Sequence, residues 1–343
     1  MNRFVHTILF VIFFMSPIKY WLFFPNPAFA QNTPQRPFKI FMVLWRGQTP
    51  VEIGFKNYLA EQGIPINYII RNLDQQTTRL PEVILEIKRE SPDLVYTWGT
   101  SVTLGVVGPY DAPPSENFIH NIPVLFTMAA DPIGAKLVPS FESSNRNLTG
   151  TSHMAPLSVQ LKAMGAYRPF QRIGHIYNPA ERQSVLVANE LESVAKQQGF
   201  DVIIKTIPLD ASNKPQAKFI PELVEELAKE RIEYIYLGPD SFLAVHRNIL
   251  VNTALKEKIP VFCSTEFPLR ESRPLMGLVS SYQNLGAFTA FKARQILVEG
   301  RQARDIPVET LKRFSFVINM GVAKQLGFFP PITVLKYAEI ITE

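Results

Sequence analysis

Polar and aromatic side chains stand directly after the predicted β-strands of this chain or at the start of the next helix. The candidate ligand-binding residues are Trp45, Arg46, Thr100, Ser101, Thr127, Tyr177, Asn178, Ser184, Asp240 and Tyr282. At the carboxyl end of a parallel strand the backbone turns into a helix, and its free N–H groups point outward. We therefore expect these residues to converge on one bound molecule.

The side-chain types in this set suit a small zwitterionic or anionic ligand. The guanidinium of Arg46 can bind a carboxylate through two parallel hydrogen bonds, and the helix N-termini at Thr100 and Ser184 attract the same group. Asp240, or Asp131 after the fourth strand, can pair with an amino group. The aromatic members of the set would supply flat apolar walls.

Each of these residues also has a purely structural explanation. Thr100 and Ser101 could cap a helix, Asn178 with Pro179 could form a turn, and Asp240 could begin a helix. These alternatives stay open for every single residue. The set as a whole favours a cleft.

The elements that must position these residues alternate as strand and helix in two similar series. The first predicted strands are residues 39–44, 66–70, 93–96 and 124–127, each followed by a helical pattern. Repeated strand–helix units predict an α/β fold with two doubly wound parallel-sheet lobes joined by a multi-strand hinge. The crossover between the lobes is predicted at Asn147–Gly150.

The two series define the expected domains. Residues 31–150 with about 283–305 would form the first lobe, and residues 151–282 with about 306–343 the second. Residues 1–30 read as a signal peptide, because an apolar run, Ile8–Met15, precedes the small-x-small pattern that ends at Ala30. Pro17 and Lys19 break the apolar stretch below spanning length, although a retained anchor remains the alternative. We expect a periplasmic or otherwise exported protein, soluble after cleavage near Ala30.

Charge and cysteine content exclude several classes of protein. The 343 residues contain 35 basic and 30 acidic side chains, and loss of Arg3 and Lys19 with the signal peptide lowers the net charge from +5 to +3. This excess is too small to indicate nucleic-acid binding. Cys263 is the one cysteine, so the sequence holds neither a disulfide framework nor a cysteine metal site.

A catalytic constellation is not evident. The histidines after the signal peptide, His120, His153, His175 and His246, lack metal-ligand spacing. The sequence contains no nucleophile elbow, phosphate loop or dinucleotide fingerprint. We therefore expect no metal, no cofactor and no enzymatic activity. An exported enzyme using Asp131, Asp240 or Glu266 as a carboxylate is the less favoured alternative.

Several short motifs follow one another along the chain: Phe126-Thr127 with Asp131-Pro132-Ile133-Gly134, Asn147-Leu148-Thr149-Gly150, Ile173-Gly174 with Tyr177-Asn178-Pro179, Asp240, Tyr282 with Leu285-Gly286, Asn319 to Ala323, and Leu326-Gly327. Their order resembles that in the solute-binding proteins of ABC transporters that have the type I periplasmic binding protein fold, in the group that includes tryptophan and tyrosine binders. The resemblance covers nearly all of the chain after residue 30.

The resemblance implies a monomer that traps an amino acid or small organic acid between two lobes and delivers it to ABC permease subunits. The same resemblance implies that the ligand contacts include Thr127, Tyr177, Asn178, Asp240 and Tyr282. The ends of the first and third strands differ from those of amino-acid binders in this group. A sensory role, in which the protein reports its ligand to a membrane receptor or kinase, remains the alternative.

Overall fold

The computed structural model describes residues 36–342, so the predicted signal peptide lies outside the described residues. The strands are β1 Phe38–Leu44, β2 Ile66–Asn72, β3 Leu94–Trp98, β4 Val124–Ala129, β5 Leu148–Ser152, β6 Arg172–Tyr177, β7 Asp201–Thr206, β8 Tyr234–Leu237, β9 Val261–Cys263, β10 Met276–Val279, β11 Glu309–Thr310, β12 Ser315–Asn319 and β13 Glu339–Ile341. The helices are α1 Pro50–Glu61, α2 Leu80–Glu90, α3 Thr100–Val107, α4 Leu157–Tyr167, α5 Arg182–Gln198, α6 Ile220–Lys229, α7 Ser241–Val245, α8 Arg247–Lys256, α9 Glu266–Arg270, α10 Tyr282–Leu297, α11 Met320–Leu326 and α12 Ile332–Leu335.

Two sheets form the cores of two lobes, which confirms the predicted fold class. The first sheet has the order β11-β5-β4-β3-β1-β2, and all of its strand pairs are parallel. Every residue of β3 and β4 is buried, because helices cover both faces of the sheet. The carboxyl ends of the first-lobe strands therefore lie at one edge.

The second sheet has the order β13-β12-β10-β9-β8-β6-β7 and is mixed rather than purely parallel. β12 runs antiparallel to β10, whereas the pairs from β10 to β7 are parallel. The C-terminal region forms the short helix α12 and the edge strand β13, which pairs with β12.

Three chain segments connect the two sheets and form a multi-strand hinge. They are residues 153–156 after β5, residues 280–281 after β10, and residues 311–314 between β11 and β12. The hydroxyl of Ser280 donates to the carbonyl oxygen of His153 at 2.8 Å, so two of the segments are tied together.

The predicted boundaries differ from this hinge at two places. Residues 148–150 of the predicted crossover belong to β5, because Leu148 and Thr149 pair with β4 and are buried in the first lobe. β11, which the sequence assigned to the second lobe, pairs with β5 in the first sheet. The chain therefore returns to the first lobe before its last crossing.

Close packing of α10 against α1 fixes the start of α10 at the edge where the strands end. A Cβ atom on Gly286 would lie 1.9 Å from the carbonyl oxygen of Val51, and one on Gly54 would lie 2.0 Å from that of Gln283. Only glycine allows two helix backbones to approach this closely. Tyr282, the first residue of α10, is thereby held next to the ends of the first-lobe strands.

Candidate ligand-binding cleft

A narrow cleft lies between the two lobes, at the carboxyl ends of strands from both sheets. Its lining consists of Arg46, Trp98, Met128, His153, Gln183, Pro239, Asp240, Ser241, Ala244, Thr265 and Tyr282. The remaining space measures about 20 Å³, which is enough for about one water molecule. The lobes are therefore closed on each other.

Arg46 crosses this cleft from the first lobe to the second. It follows β1, and its Cζ atom lies 5.2 Å from the ring centre of Trp98 at the end of β3. The same atom lies 4.8 Å from the ring centre of Phe267 in α9 of the second lobe. A guanidinium between two aromatic faces gains cation–π attraction on both sides. The Arg46 side chain thus fills the space between two flat rings.

Several hydrogen-bonding atoms on this side of the cleft are buried without a partner among the described residues. They are Arg46 Nη1, Trp98 Nε1, Thr100 Oγ1 and His153 Nδ1. The guanidinium and indole nitrogens can only donate. A buried donor without an acceptor costs about 1–3 kcal/mol. Arg46 Nη1 and Trp98 Nε1 are therefore donors available to a molecule in the cleft.

Two backbone features determine the direction of the side chains on the first-lobe wall of the cleft. Gly99, between β3 and α3, has a φ of +83°, a conformation that favours glycine. Met128 has a φ of +57° and lies where the pairing of β4 with β5 shifts register. Such an irregularity changes the direction of the side chains at the end of a strand.

His153 lies at the first residue of the hinge and lines the cleft. Burial, opposed by a hydrogen bond with the backbone of Ala129 and reinforced by the charge of Arg46, lowers its pKa to about 4. Its ring meets that of Tyr282 edge-on, with 6.4 Å between the ring centres. His153 is therefore neutral in the closed cleft at physiological pH.

Asp240 forms the opposite wall, at the end of β8 in the second lobe. One carboxylate oxygen accepts the backbone N–H of Asn178 at 2.7 Å, and the other caps α7 by accepting that of Leu243 at 2.8 Å. Burial nevertheless raises the pKa of Asp240 above its ordinary value. The predicted helix-start role of Asp240 and its position in the cleft are both observed.

Glu181 is a second carboxylate in the same wall, and it was not among the predicted site residues. It precedes α5, is 6% exposed, and accepts hydrogen bonds from the backbone N–H and the hydroxyl of Ser241, both at 2.9 Å. Burial, followed by the neighbouring charge of Asp240, raises the pKa of Glu181. A chain of contacts thus links Glu181 to the cleft surface through Ser241.

Of the ten predicted ligand-binding residues, Arg46, Asp240 and Tyr282 line the cleft. Asn178 lies behind Asp240 and forms the predicted turn by accepting the N–H of Ala180 at 3.0 Å. Ser184 is buried in the first turn of α5, where its hydroxyl is 3.4 Å from the carbonyl oxygen of Pro239.

The other predicted residues lie outside the lining of the cleft. Thr127 is fully buried, and its hydroxyl lies 3.1 Å from that of Thr151. Tyr177 stacks on His175 with 5.8 Å between ring centres. Trp45 packs against the first-lobe core. Thr100 and Ser101 open α3, but neither side chain caps it.

Several lining residues could not be predicted from the sequence, for a common reason. Successive residues of a strand point to opposite faces, so an error of one residue in the strand end exchanges a cleft residue for a core residue. The predicted Thr127 is core, whereas Met128 lines the cleft; residue 153 lines it because β5 ends at Ser152. An aromatic residue before glycine, Trp98-Gly99, is the signal that could have identified the third strand end.

Within residues 36–342, no helix is long and apolar enough to cross a membrane. The same residues contain no group of three or more histidine, cysteine, aspartate or glutamate side chains arranged to hold a metal ion.

Comparison with known proteins identifies the family. The sequence matches the ABC transporter substrate binding protein family over residues 47–341. The chain belongs to this family. It is 26% identical over 272 residues to a tyrosine-binding protein of Clostridioides difficile, an alignment that covers 79% of this chain and 73% of that protein. The predicted membership in a family of substrate-binding proteins is thereby confirmed.

Solved structures share the fold. A conserved domain protein of Vibrio cholerae is 22% identical, with a TM-score of 0.77 over 90% of this chain and 100% of that chain. An ABC domain of Streptococcus pneumonia in complex with L-Trp is 23% identical, with a TM-score of 0.76 over 89% of this chain and 100% of the other. The ligand-free, open structure of a Clostridium difficile substrate-binding protein with adhesive properties, also 23% identical, has a TM-score of 0.65 over 89% and 99% of the two chains.

Proposed function

We propose that this substrate-binding protein is exported, captures an amino acid between its lobes and presents it to the permease of an ABC importer. The observation that carries the proposal is the presence of Arg46 on one wall and Asp240 on the other wall of one buried cleft. An amino acid has a carboxylate and an ammonium group, so each end meets the opposite charge. A small organic acid would leave the buried Asp240 without a cation, which is costly.

The carboxylate of the ligand would bind on the first-lobe side. Arg46 Nη1 and Trp98 Nε1 have hydrogens to donate and no acceptor among the described residues. A carboxylate oxygen accepts from both types of donor, and charge-assisted hydrogen bonds are about twice as strong as neutral ones. Binding there would remove the cost of two unsatisfied buried donors.

The ligand side chain would lie against the aromatic walls. The rings of Trp98 and Phe267 lie on either side of the Arg46 guanidinium, and Tyr282 lines the same cleft. Since Arg46 fills the space between Trp98 and Phe267, the rings open to a ligand are those that line the cleft, Trp98 and Tyr282. A flat apolar group packed against such a ring gains about 0.5–1.5 kcal/mol for each aromatic pair beyond its buried area. Since two relatives are a tyrosine-binding protein and an L-Trp complex, aromatic amino acids are the first ligands to test.

Capture requires the lobes to open first, because the closed cleft has a volume of only about 20 Å³. The three hinge segments are where the chain can bend. A ligand that touches Arg46 in one lobe and Asp240 in the other gains contacts in the closed state that the open state lacks. Only this difference in affinity shifts the balance toward closure.

The ligand class is tested by titration calorimetry with ligands that lack one charge. L-tryptophan and L-tyrosine are compared with tryptamine, which lacks the carboxylate, and with indole-3-propionate, which lacks the ammonium group. We expect the amino acids to bind and each analogue to bind at least about 100-fold more weakly, because it leaves one buried charge unpaired. Equal binding of indole-3-propionate would favour an organic acid. No binding by any amino acid in a full panel would refute the proposal.

The transport role needs a separate measurement in the source organism. Deletion of the gene should lower uptake of the labelled ligand, and the wild-type gene should restore it. A gene carrying Arg46→Met should fail to restore uptake although the protein reaches the same level in the cell envelope. Unchanged uptake in the deletion strain, with ligand binding intact in vitro, would instead favour a sensory role.

A further inference from the structure

Glu181 is a buried acid that the binding scheme above does not use. It is 6% exposed and lies one layer behind the cleft surface, where Ser241 and Gln183 are lining residues. Its Oε1 atom lies 2.9 Å from the Ser241 hydroxyl and 2.6 Å from Gln183 Nε2, and its Oε2 atom accepts the backbone N–H of Ser241 at 2.9 Å.

Two acids therefore share one wall with too few positive groups to neutralise both. The Asp240 carboxylate accepts hydrogen bonds from two backbone N–H groups, whereas that of Glu181 accepts from one. The charged groups that act on Glu181 are Asp240 in its own lobe and Arg46 from the opposite lobe, and Arg182, next in the chain, is exposed. Two neighbouring carboxyl groups in a buried wall do not both ionise at neutral pH. Asp240, which accepts from two backbone N–H groups against one for Glu181, is the one that keeps the charge.

We propose that Glu181 holds a proton while the cleft is empty and releases it when the ammonium group of an amino acid docks against Asp240. The inference rests on the proposed function, because it takes the ligand to carry an ammonium group. The charge of the wall then changes from one negative charge to two as the cation arrives. Glu181 thereby contributes to selection for a cationic ligand end.

The hydrogen bonds around Glu181 accommodate both states. When Glu181 is protonated, its O–H donates to the Ser241 hydroxyl oxygen; when it is ionised, the Ser241 hydroxyl donates to the carboxylate. In the release step the O–H bond of Glu181 breaks, the electron pair stays on the carboxylate oxygen and the proton goes to solvent. The ligand keeps all of its protons, so the step is balanced.

Opening of the lobes does not by itself release the proton. Glu181, Ser241 and Asp240 belong to the same lobe and stay together, whereas Arg46 belongs to the first lobe and moves away. Loss of this positive charge favours the protonated acid further. The contacts that hold the proton on Glu181 are therefore kept when the lobes open.

Infrared spectroscopy of the ligand-free protein tests the first half of the proposal without any ligand. At about pH 7 we expect the C=O band of a protonated carboxylic acid, and we expect Glu181→Gln to remove it. Glu190→Gln, which changes an exposed glutamate on the same helix, should leave the band in place. If Glu181→Gln does not fold, titration of the band in the wild-type protein decides the point. Because Glu52 is also a buried acid whose pKa is raised by burial, the readout is the difference spectrum between the wild type and Glu181→Gln. Absence of the C=O band from that difference, with Glu181→Gln folded, overturns the proposal.

Titration calorimetry with L-tryptophan tests the second half. Measured at about pH 7 in phosphate and in Tris, whose ionisation enthalpies differ, binding should release about one proton in the wild type and in Glu190→Gln, but none in Glu181→Gln. The Kd of the wild type should fall about tenfold from pH 6 to pH 7, and that of Glu181→Gln should change little. Binding without proton release overturns the release step. In a further outcome the infrared band is observed while calorimetry detects no binding of L-tryptophan or of any other amino acid. That combination refutes the proposed function and the release step, whereas the assignment of the proton to Glu181 stands.

Discussion

Arg46→Met removes the guanidinium that lies between the rings of Trp98 and Phe267 and keeps a flexible apolar side chain of similar length. In the ligand-bound protein, Arg46 would be one partner of a buried, hydrogen-bonded charge pair. Truncating such a partner costs about 2–5 kcal/mol, because the carboxylate of the ligand is left buried without its counter-charge. A loss of about 3 kcal/mol corresponds to an affinity for L-tryptophan that is about 100-fold weaker.

Titration calorimetry with two ligands separates this effect from general damage to the cleft. Arg46→Met should weaken L-tryptophan by about 100-fold and should leave the affinity for tryptamine, which has no carboxylate, within about threefold of the wild-type value. The matched control is Arg89→Met. The Arg89 side chain is 72% exposed and lies 3.7 Å from Glu86, and surface ion pairs of this kind contribute little.

Two results would refute the reasoning. Wild-type affinity of Arg46→Met for L-tryptophan would mean that the carboxylate binds elsewhere. An equal loss for L-tryptophan and tryptamine would mean that Arg46 acts by shaping the closed cleft, through its contacts with Trp98 and Phe267.

Three further predictions concern stability. Gly99→Ala should lower the free energy of unfolding by about 1–2 kcal/mol, because Gly99 has a φ of +83°. Gly165→Ala, inside α4 with no atom within 4 Å of the new Cβ, should raise it by about 0.5–1 kcal/mol. Urea unfolding measures both changes, and a gain in stability from Gly99→Ala would contradict the argument. Thr289→Val should lower the free energy of unfolding by about 1–2 kcal/mol in the same assay, because it removes a buried hydroxyl that is hydrogen-bonded to Thr151 and to the carbonyl oxygen of Leu285. An unchanged urea midpoint would show that these hydrogen bonds are dispensable. Burial lowers the pKa of His153 and of His175 to about 4 from 6.5, so between pH 4 and pH 6.5 the unfolded chain binds more protons than the folded one. The free energy of unfolding should therefore fall, as the pH is lowered through this range, by about 1.4 kcal/mol per pH unit for each histidine. The slope in folded His153→Gln should be smaller by that amount, and an unchanged slope would contradict the burial of a neutral ring.

The order of strands and helices could be predicted because each element satisfies its own local pattern. Buried parallel strands read as short apolar runs, and their helices begin and end at recognisable residues such as Thr49 and Gly199. The C-terminal region could not be predicted in this way. β13 is a three-residue strand in which no residue is fully buried, and it exists because β12 offers an unpaired edge.

The cleft could be predicted as a region but not as a list of residues. Arg46, Asp240 and Tyr282 stand at strand ends or helix starts and were identified on that basis. Glu181 was missed because its neighbourhood depends on Ser241, which lies 60 residues away in the chain. Thr127, predicted as a contact, is fully buried, and the direction of its side chain depends on register at the end of β4.

The sequence by itself determined the α/β class, the two lobes and the family, because apolar periodicity and the order of short motifs are local properties of the chain. Tertiary structure alone decided which side chains face one another across the cleft. That selection depends on strand register, on the glycine contacts that hold α10 against α1, and on the approach of the two lobes. Arg46 lies between Trp98 and Phe267, and Glu181 lies behind Asp240, although these residues are far apart in the chain. Only folding brings their side chains close enough to interact.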